Sequence, residues 1–206
     1  MRWKNGGGVT CEILRHPAAS TLENFDWRIS VATVQQGGAF SIFPGVDRSL
    51  AMLAGNGVAL QIDGHQQRLL PGDTALRFDG ELPVQAALLD GAVVDFNVMT
   101  RRADYTHTLE ALTLSGPTVL RLECLAAVLY VVRGSCHLTQ EQTLHAGDAA
   151  WFAATERSCI ATPAGAGVQL MLVRLQQVAA QPPAIASATA SATLMPSIEA
   201  DMMPPA

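Results

Sequence analysis

The chain has 206 residues, enough for one compact domain with a substantial core or for two small fused barrels. Hydrophobic residues make up 49% and charged residues 15%, and 13 Lys+Arg against 18 Asp+Glu leave a formal net charge of -5. No segment is basic enough to track a phosphate backbone, so no nucleic-acid partner is expected. There is no run of 18 or more apolar residues, so no membrane partner is expected either. The start, MRWKNGGG, has no apolar stretch behind its basic residues and does not read as a signal peptide, which makes the cytoplasm the expected location. Cys11, Cys124, Cys136 and Cys159 are scattered without a C-x-x-C pair, so reduced thiols are expected rather than a disulfide framework or a zinc site.

In chain order, Gly6-Gly7-Gly8 reads equally as a sharp bend or as a set of backbone N–H groups open to an anion; it lacks the Lys-Ser/Thr of a phosphate loop. Trp27–Val34 alternates apolar and polar residues with period two and stops beside Gly37-Gly38, the pattern of a strand. Further short strands are expected at 50–54, 58–63, 74–78, 84–89, 93–99, 118–124, 127–132, 136–139, 149–153 and 167–175. The breaks between them fall at Gly-Asn-Gly, Pro-Gly-Asp, Asp-Gly, Gly-Pro and Pro-Ala-Gly. Residues 108–114 are expected to make at most one short helical turn, and His16 and His107 to sit in loops. From Gln176 onward small residues and proline dominate with little charge, so 176–206 is expected to be a disordered Ala/Pro/Ser-rich tail beyond a folded unit over 1–175.

An internal repeat organises these strands. MLAGNGVALQIDGHQQRLLPGDTALRF (52–78) resembles VVRGSCHLTQEQTLHAGDAAWF (131–152): strand, Gly, second strand, polar turn, Gly-Asp, third strand. Gly72-Asp73 and Gly147-Asp148 are 75 residues apart, and Gly55 and Gly134 are 79 apart. Gly-Asp suits a tight turn, because Gly takes positive φ and Asp bonds its own backbone. A unit of this size is one barrel duplicated rather than a solenoid repeat. The pattern looks like the middle of a cupin barrel. The expected fold is therefore all-β, a double cupin (bicupin) of two fused jelly-roll-like barrels.

Four strings then occur in order: Trp3-Lys4-Asn5-Gly6-Gly7-Gly8, Trp27-Arg28-Ile29-Ser30-Val31-Ala32, Phe40-Ser41-Ile42-Phe43-Pro44-Gly45-Val46-Asp47-Arg48 and Asp95-Phe96-Asn97-Val98-Met99-Thr100-Arg101. Together they closely resemble the HutD/Ves family over roughly residues 2–175. The resemblance implies a bicupin fold, a cytoplasmic location and, for the HutD branch, an association with histidine degradation. It also implies acidic ligands such as formylated or formiminated glutamate, with no catalytic activity securely attached. Two departures stand out. Arg2 directly precedes Trp3, where members carry several more residues and often Pro. Thr10-Cys11-Glu12 stands where members tend to have Thr-Arg-Glu, so an arginine is missing that is expected to strengthen anion binding.

Read as chemistry, the histidines do not make a cupin metal site, which takes a His-x-His pair, a Glu and a third His; His65, His137 and His145 are isolated, and no metal or other cofactor is expected. No nucleophile elbow is present, and Cys11 is expected to be a plain small hydrophobe. The arginines are more informative. Arg28 interrupts an apolar strand, and Arg48 and Arg101 close their strings. A guanidinium fork matches a carboxylate in two bonds, so Arg28, Arg48, Arg101 and Lys4 around one barrel mouth suit a dicarboxylate. The alternative is internal pairing, Arg28 with Asp26 or Glu12 and Arg48 with Asp47 or Asp95. Asp95 and Asn97 alternate on one strand and so share a face. Trp3 and Phe43 are expected as apolar walls, with Phe96 closer to plain core packing. The expected ligand-binding set is Trp3, Lys4, Asn5, Gly6, Arg28, Phe43, Arg48, Asp95, Asn97 and Arg101.

The function expected from this reading is metal-free binding of a small acidic metabolite, with an accessory or regulatory role in histidine degradation. Two alternatives stay open: a cofactor-free isomerase or hydrolase with Asp95 or Glu12 as general base, and a structural or stress-related oligomer. The resemblance also makes a homodimer an expectation.

Overall fold

The computed structural model describes residues 1–3, 6–139 and 142–179; among these there is no helix. Nine strands build the first half: β1 (Gly8–His16), β2 (Trp27–Val34), β3 (Gly38–Ala39), β4 (Val46–Ala54), β5 (Val58–Ile62), β6 (His65–Leu69), β7 (Leu76–Asp79), β8 (Val84–Leu88) and β9 (Val93–Arg101). Eight build the second: β10 (Tyr105–Leu114), β11 (Thr118–Arg121), β12 (Ala126–Arg133), β13 (Ser135–Leu138), β14 (Thr143–His145), β15 (Ala149–Ala153), β16 (Ser158–Pro163) and β17 (Val168–Gln177).

The sheets repeat one plan. The first half pairs a sheet of order β1-β2-β9-β4-β7 with one of order β3-β8-β5-β6; the second pairs β10-β17-β12-β15 with β11-β16-β13-β14. Shifting every label by eight turns the first plan into the second, apart from the extra edge strand β1. The two Gly-Asp turns are also alike. Asp73 Oδ2 accepts from Leu70 N at 2.8 Å, and Asp148 Oδ2 accepts from His145 N at 2.8 Å. Gly72 and Gly147 sit at φ 93° and 95°, a conformation that a side chain strains. The double-barrel architecture expected from the repeat is thus present.

The two barrels pack sheet on sheet. Trp27, Ile29, Ala51, Phe96 and Val98 of the first meet Ala126, Val128, Met171, Val173 and Leu175 of the second. Trp27 stacks on Trp151 at 5.3 Å and on His16 at 5.0 Å, clamping one end of this seam. Strands β4, β9, β12 and β17 are therefore covered on both faces, which is why they read as long apolar runs. Each barrel also has its own interior: Val34, Leu50, Met52, Val58, Leu60 and Phe78 in the first, and Leu114, Leu129, Val131, Phe152, Leu170 and Leu172 in the second.

Some expectations are corrected. Residues 108–114 are not a helical turn but the end of β10, paired over its whole length with β17. His107 lies on that strand, fully buried, and His16 ends β1; neither is in a loop. Strand β17 continues to Gln177 and Val178 N donates to Asp104 O, so the folded part passes the expected boundary at 175 by at least two residues. Of the expected tail, residues 180–206 lie outside the described residues.

Candidate functional site

The alternation of β2 has an unexpected cause. Its apolar face, Trp27, Ile29 and Val31, covers the second barrel. Its other face, Arg28, Ser30, Ala32 and Val34, turns into the first barrel. The same rule places Arg48 (β4) and Asp95 and Asn97 (β9) inside, since Leu50, Met52 and Val93 of the same parity belong to that interior. Antiparallel register brings these positions side by side: Ser30 opposes Asn97, and Met99 is opposed by Arg28 on one side and Arg48 on the other.

These polar side chains are deeply covered: Arg28 is 8% exposed, Arg48 6% and Asp95 5%. Arg48 lies among three rings, with Cζ 5.0 Å from the centre of Phe40, 5.1 Å from Phe78 and 5.8 Å from Phe43, an attractive arrangement for a guanidinium. Its one hydrogen bond among the described residues goes to Ser41 O at 3.3 Å, and its Nε, fully buried, has no partner among them. Burial lowers its pKa to about 10, the attraction of Asp95 working the other way. Burial likewise pushes the Asp95 carboxyl up to about 7, against the pull of Arg48. Asn97 Oδ1 is a second buried atom in this interior without a partner. Buried polar groups are nearly always satisfied, so the two unsatisfied atoms make this interior the candidate site.

Arg28 is partly satisfied. Its Nε donates to Glu12 Oε2 at 2.7 Å, and Glu12 also lies 3.4 Å from Arg15. Of the internal pairings considered for Arg28, Glu12 is the one formed. For Arg48 it is Asp95 that interacts, because Asp47 points to the opposite face, where it accepts from Arg77 and Arg102. Burial alone raises the pKa of Asp47, but those two guanidinium bonds outweigh it and hold the carboxyl below its ordinary value.

The remaining expected residues divide. Phe43 stands beside Arg48 and also lines an open cavity of about 400 Å³ with Leu22, Glu23, Ser41, Ile42, Pro44 and Val46. Trp3 reaches the same barrel interior and donates from Nε1 to Thr10 Oγ1 at 2.8 Å. Gly6, at φ 71°, turns the chain back so that its N–H bonds Trp3 O and Trp3 N bonds Gly8 O; this is the bend reading. Lys4 and Asn5 lie outside the described residues. Arg101 does not join the cluster: its Nε and Nη2 donate to the carbonyls of Phe25 and Glu23, fastening the 17–26 loop. Phe96 packs in the seam, 5.4 Å from Tyr130. Cys11 is exposed and pairs with Val31, a seam residue, so a side chain at position 11 turns away from the first-barrel interior. The departure at Cys11 therefore removes no arginine from the site.

Sequence reasoning missed Phe40 and Phe78. Phe40 sat within a quoted string, but Phe78 is Arg48's direct cross-strand neighbour, visible only once register is known. It also missed His107, whose Nδ1 and Nε2 each lie 2.8 Å from a buried hydroxyl, Thr100 Oγ1 and Ser49 Oγ, across the seam. A neutral ring donates from one nitrogen and accepts at the other, which suits the pair. Burial, helped by Arg77, lowers its pKa to about 4.

Many cupins hold a metal, and these residues do not fit one. Arginines stand in the first-barrel interior where neutral imidazoles would be needed, and no group of three or more His, Cys, Asp or Glu among the described residues could hold an ion. No described helix is long and apolar enough to cross a membrane.

Two barrels fused back to back, with arginines, an acid and an amide inside the first, define a double-cupin protein. Solved structures agree: a cupin 2 conserved barrel domain protein from Leptotrichia buccalis, 12% identical, shares the fold over 82% of this chain and 89% of its own, at TM-score 0.55. The chain belongs to the HutD family, whose model matches residues 1–171. Protein Ves from Cronobacter sakazakii is 32% identical over 151 residues, 73% of this chain and 80% of the relative. An uncharacterized 21.2 kDa protein in the hutC 3' region of Pseudomonas putida is 43% identical over 111 residues, a match covering 53% of this chain and 57% of the relative. HutD from Pseudomonas fluorescens SBW25, solved in a formate condition, is 29% identical, with TM-score 0.74 over 86% of this chain and 93% of its own. A conserved protein of unknown function from Pseudomonas aeruginosa PAO1 is also 29% identical, with TM-score 0.76 over 85% and 93%.

Proposed function

We propose that the first barrel binds a small acidic metabolite, a formylated or formiminated glutamate-type acid, and that the protein serves histidine degradation in an accessory or regulatory role rather than as an enzyme. One observation carries this reading: Arg48 is buried among three phenylalanines with its Nε unpartnered. A guanidinium removed from water and left with free donors costs stability unless an anion completes it. Arg28 supports the same reading. Its one hydrogen bond to another described residue uses Nε, which leaves the two terminal nitrogens for a carboxylate. Asn97 adds an amide and Phe43 an apolar wall beside the open cavity. The P. putida relative's place in the hutC 3' region supports the metabolic setting.

Thermal unfolding with succinate, glutarate, glutamate and N-formyl-L-glutamate tests this, because a ligand of the native state must raise the midpoint. At a hundredfold excess over Kd the stabilisation is about 2.7 kcal/mol. Arg48→Gln and Arg28→Gln are expected to abolish the rise while leaving the unliganded protein folded. No rise with any of the acids, or a rise that survives both substitutions, overturns the proposal.

A further inference from the structure

Resting on the acid-binding reading, we infer that Asp95 decides which state of the site can be filled: the first barrel takes its anionic ligand only together with a proton held by Asp95. The argument is one of charge and space. Asp95 sits on β9 inside the barrel, almost wholly covered, and hydrogen-bonds to no other described residue. The groups around it are few. From β4 comes Arg48, whose charge it feels directly; Arg28 of β2, whose charge acts on Arg48, is already engaged by Glu12 of β1. Its cross-strand partners, Ala32 of β2 and Met52 of β4, carry no charge.

The charges therefore balance before any ligand arrives. Glu12 offsets Arg28, and an ionised Asp95 offsets Arg48. An incoming carboxylate at Arg48 adds a negative charge beside a carboxylate that is already there. In a covered, weakly polarisable interior two such charges cannot both persist, and one of them takes a proton. The ligand, an ordinary carboxylic acid with a pKa near 4, stays ionised on Arg48. Asp95, which burial already holds near neutrality, is the one protonated. Once neutral it becomes an O–H donor, able to bond a carbonyl or carboxylate oxygen of the ligand, while the unpartnered Asn97 Oδ1 on the neighbouring pair can accept from a ligand N–H. The site thus selects acids that carry a second oxygen acceptor.

The test is isothermal titration of the full chain with glutarate and with N-formyl-L-glutamate between about pH 6 and about pH 8.5, in buffers of different ionisation enthalpy. Expected is uptake of up to one proton per ligand, with affinity falling by about tenfold per pH unit on the alkaline side of Asp95's titration. Asp95→Asn is expected to bind without proton uptake, with pH-independent affinity, and more tightly than the unaltered protein at the alkaline end. Binding without buffer dependence in the unaltered protein overturns the inference and leaves the acid receptor standing. So does an Asp95→Asn variant that keeps the pH dependence. Absence of binding by both forms at every pH overturns both. If Asp95→Asn does not fold, the buffer series on the unaltered protein decides alone.

Discussion

The two barrels share one topology and differ in what fills them. Register makes the comparison residue by residue. In the first barrel Asp95 opposes Met52, Asn97 opposes Leu50 and Met99 opposes Arg48; in the second Leu170 opposes Val131, Leu172 opposes Leu129 and Arg174 opposes Ala127. The second barrel thus has Leu170 for Asp95, Leu172 for Asn97 and Ala127 for Arg48, and on the outer pair Thr108 for Arg28. Three of these four are buried apolar side chains in a continuous core. One copy is closed with hydrocarbon, and the other keeps buried charge with unpartnered atoms. Duplication supplies a scaffold twice, and the proposed site falls in the copy whose interior is left incompletely satisfied.

That contrast can be broken. The largest effect is expected from moving the first barrel's chemistry into the second: Leu170→Asp should cost about 4 kcal/mol or more, because the new carboxylate finds no guanidinium there. Urea unfolding measures it, and a loss under about 1 kcal/mol would mean that the second interior also tolerates charge.

Next comes the seam that holds the copies together. His107→Ala should cost about 3 kcal/mol, from the lost ring and two stranded hydroxyls. The pH dependence sharpens this. The folded-state pKa of His107 is depressed from 6.5 to about 4, so the unfolded chain binds more protons between those values. Stability from His107 is complete above about 6.5 and is lost as pH falls towards about 4. Asp95 acts in the opposite sense. Its raised pKa means the folded chain binds more protons between 3.8 and about 7, so its contribution is lost as pH rises through that window. Urea titrations across this range should show His107→Ala removing the acid-side loss and Asp95→Asn the other.

A smaller stability effect is expected from the reverse exchange. Arg48→Met at about pH 6 should leave unfolding free energy unchanged or raised by about 1 kcal/mol, since a buried cation with an unpartnered donor stabilises little. The same variant should lose acid binding by about a hundredfold or more. Marked destabilisation with binding retained would make Arg48 a structural residue. The smallest effects test the likeness of the copies. Asp73→Ala and Asp148→Ala each remove one turn hydrogen bond of the same length, and equal losses of about 1 kcal/mol are expected by thermal unfolding.

The sequence by itself determined the class of fold, the duplication and most of the strands, because period-two patterning and Gly-Asp turns are local signals that a barrel obeys. It also singled out Arg28, Arg48, Asp95 and Asn97 as candidates, since polar side chains within apolar strands are visible in one dimension. Strand β10 was missed because His107 and Glu110 interrupt its pattern, one buried in the seam and one paired with Arg174. Only the tertiary structure decided which way each face turns. It showed that the polar face of β2 looks into a barrel rather than into water, that Phe78 lies beside Arg48, and that Arg101 is engaged in holding a loop. Those facts depend on register and on sheet-against-sheet packing. Both join residues far apart in the chain, and no local spacing encodes them.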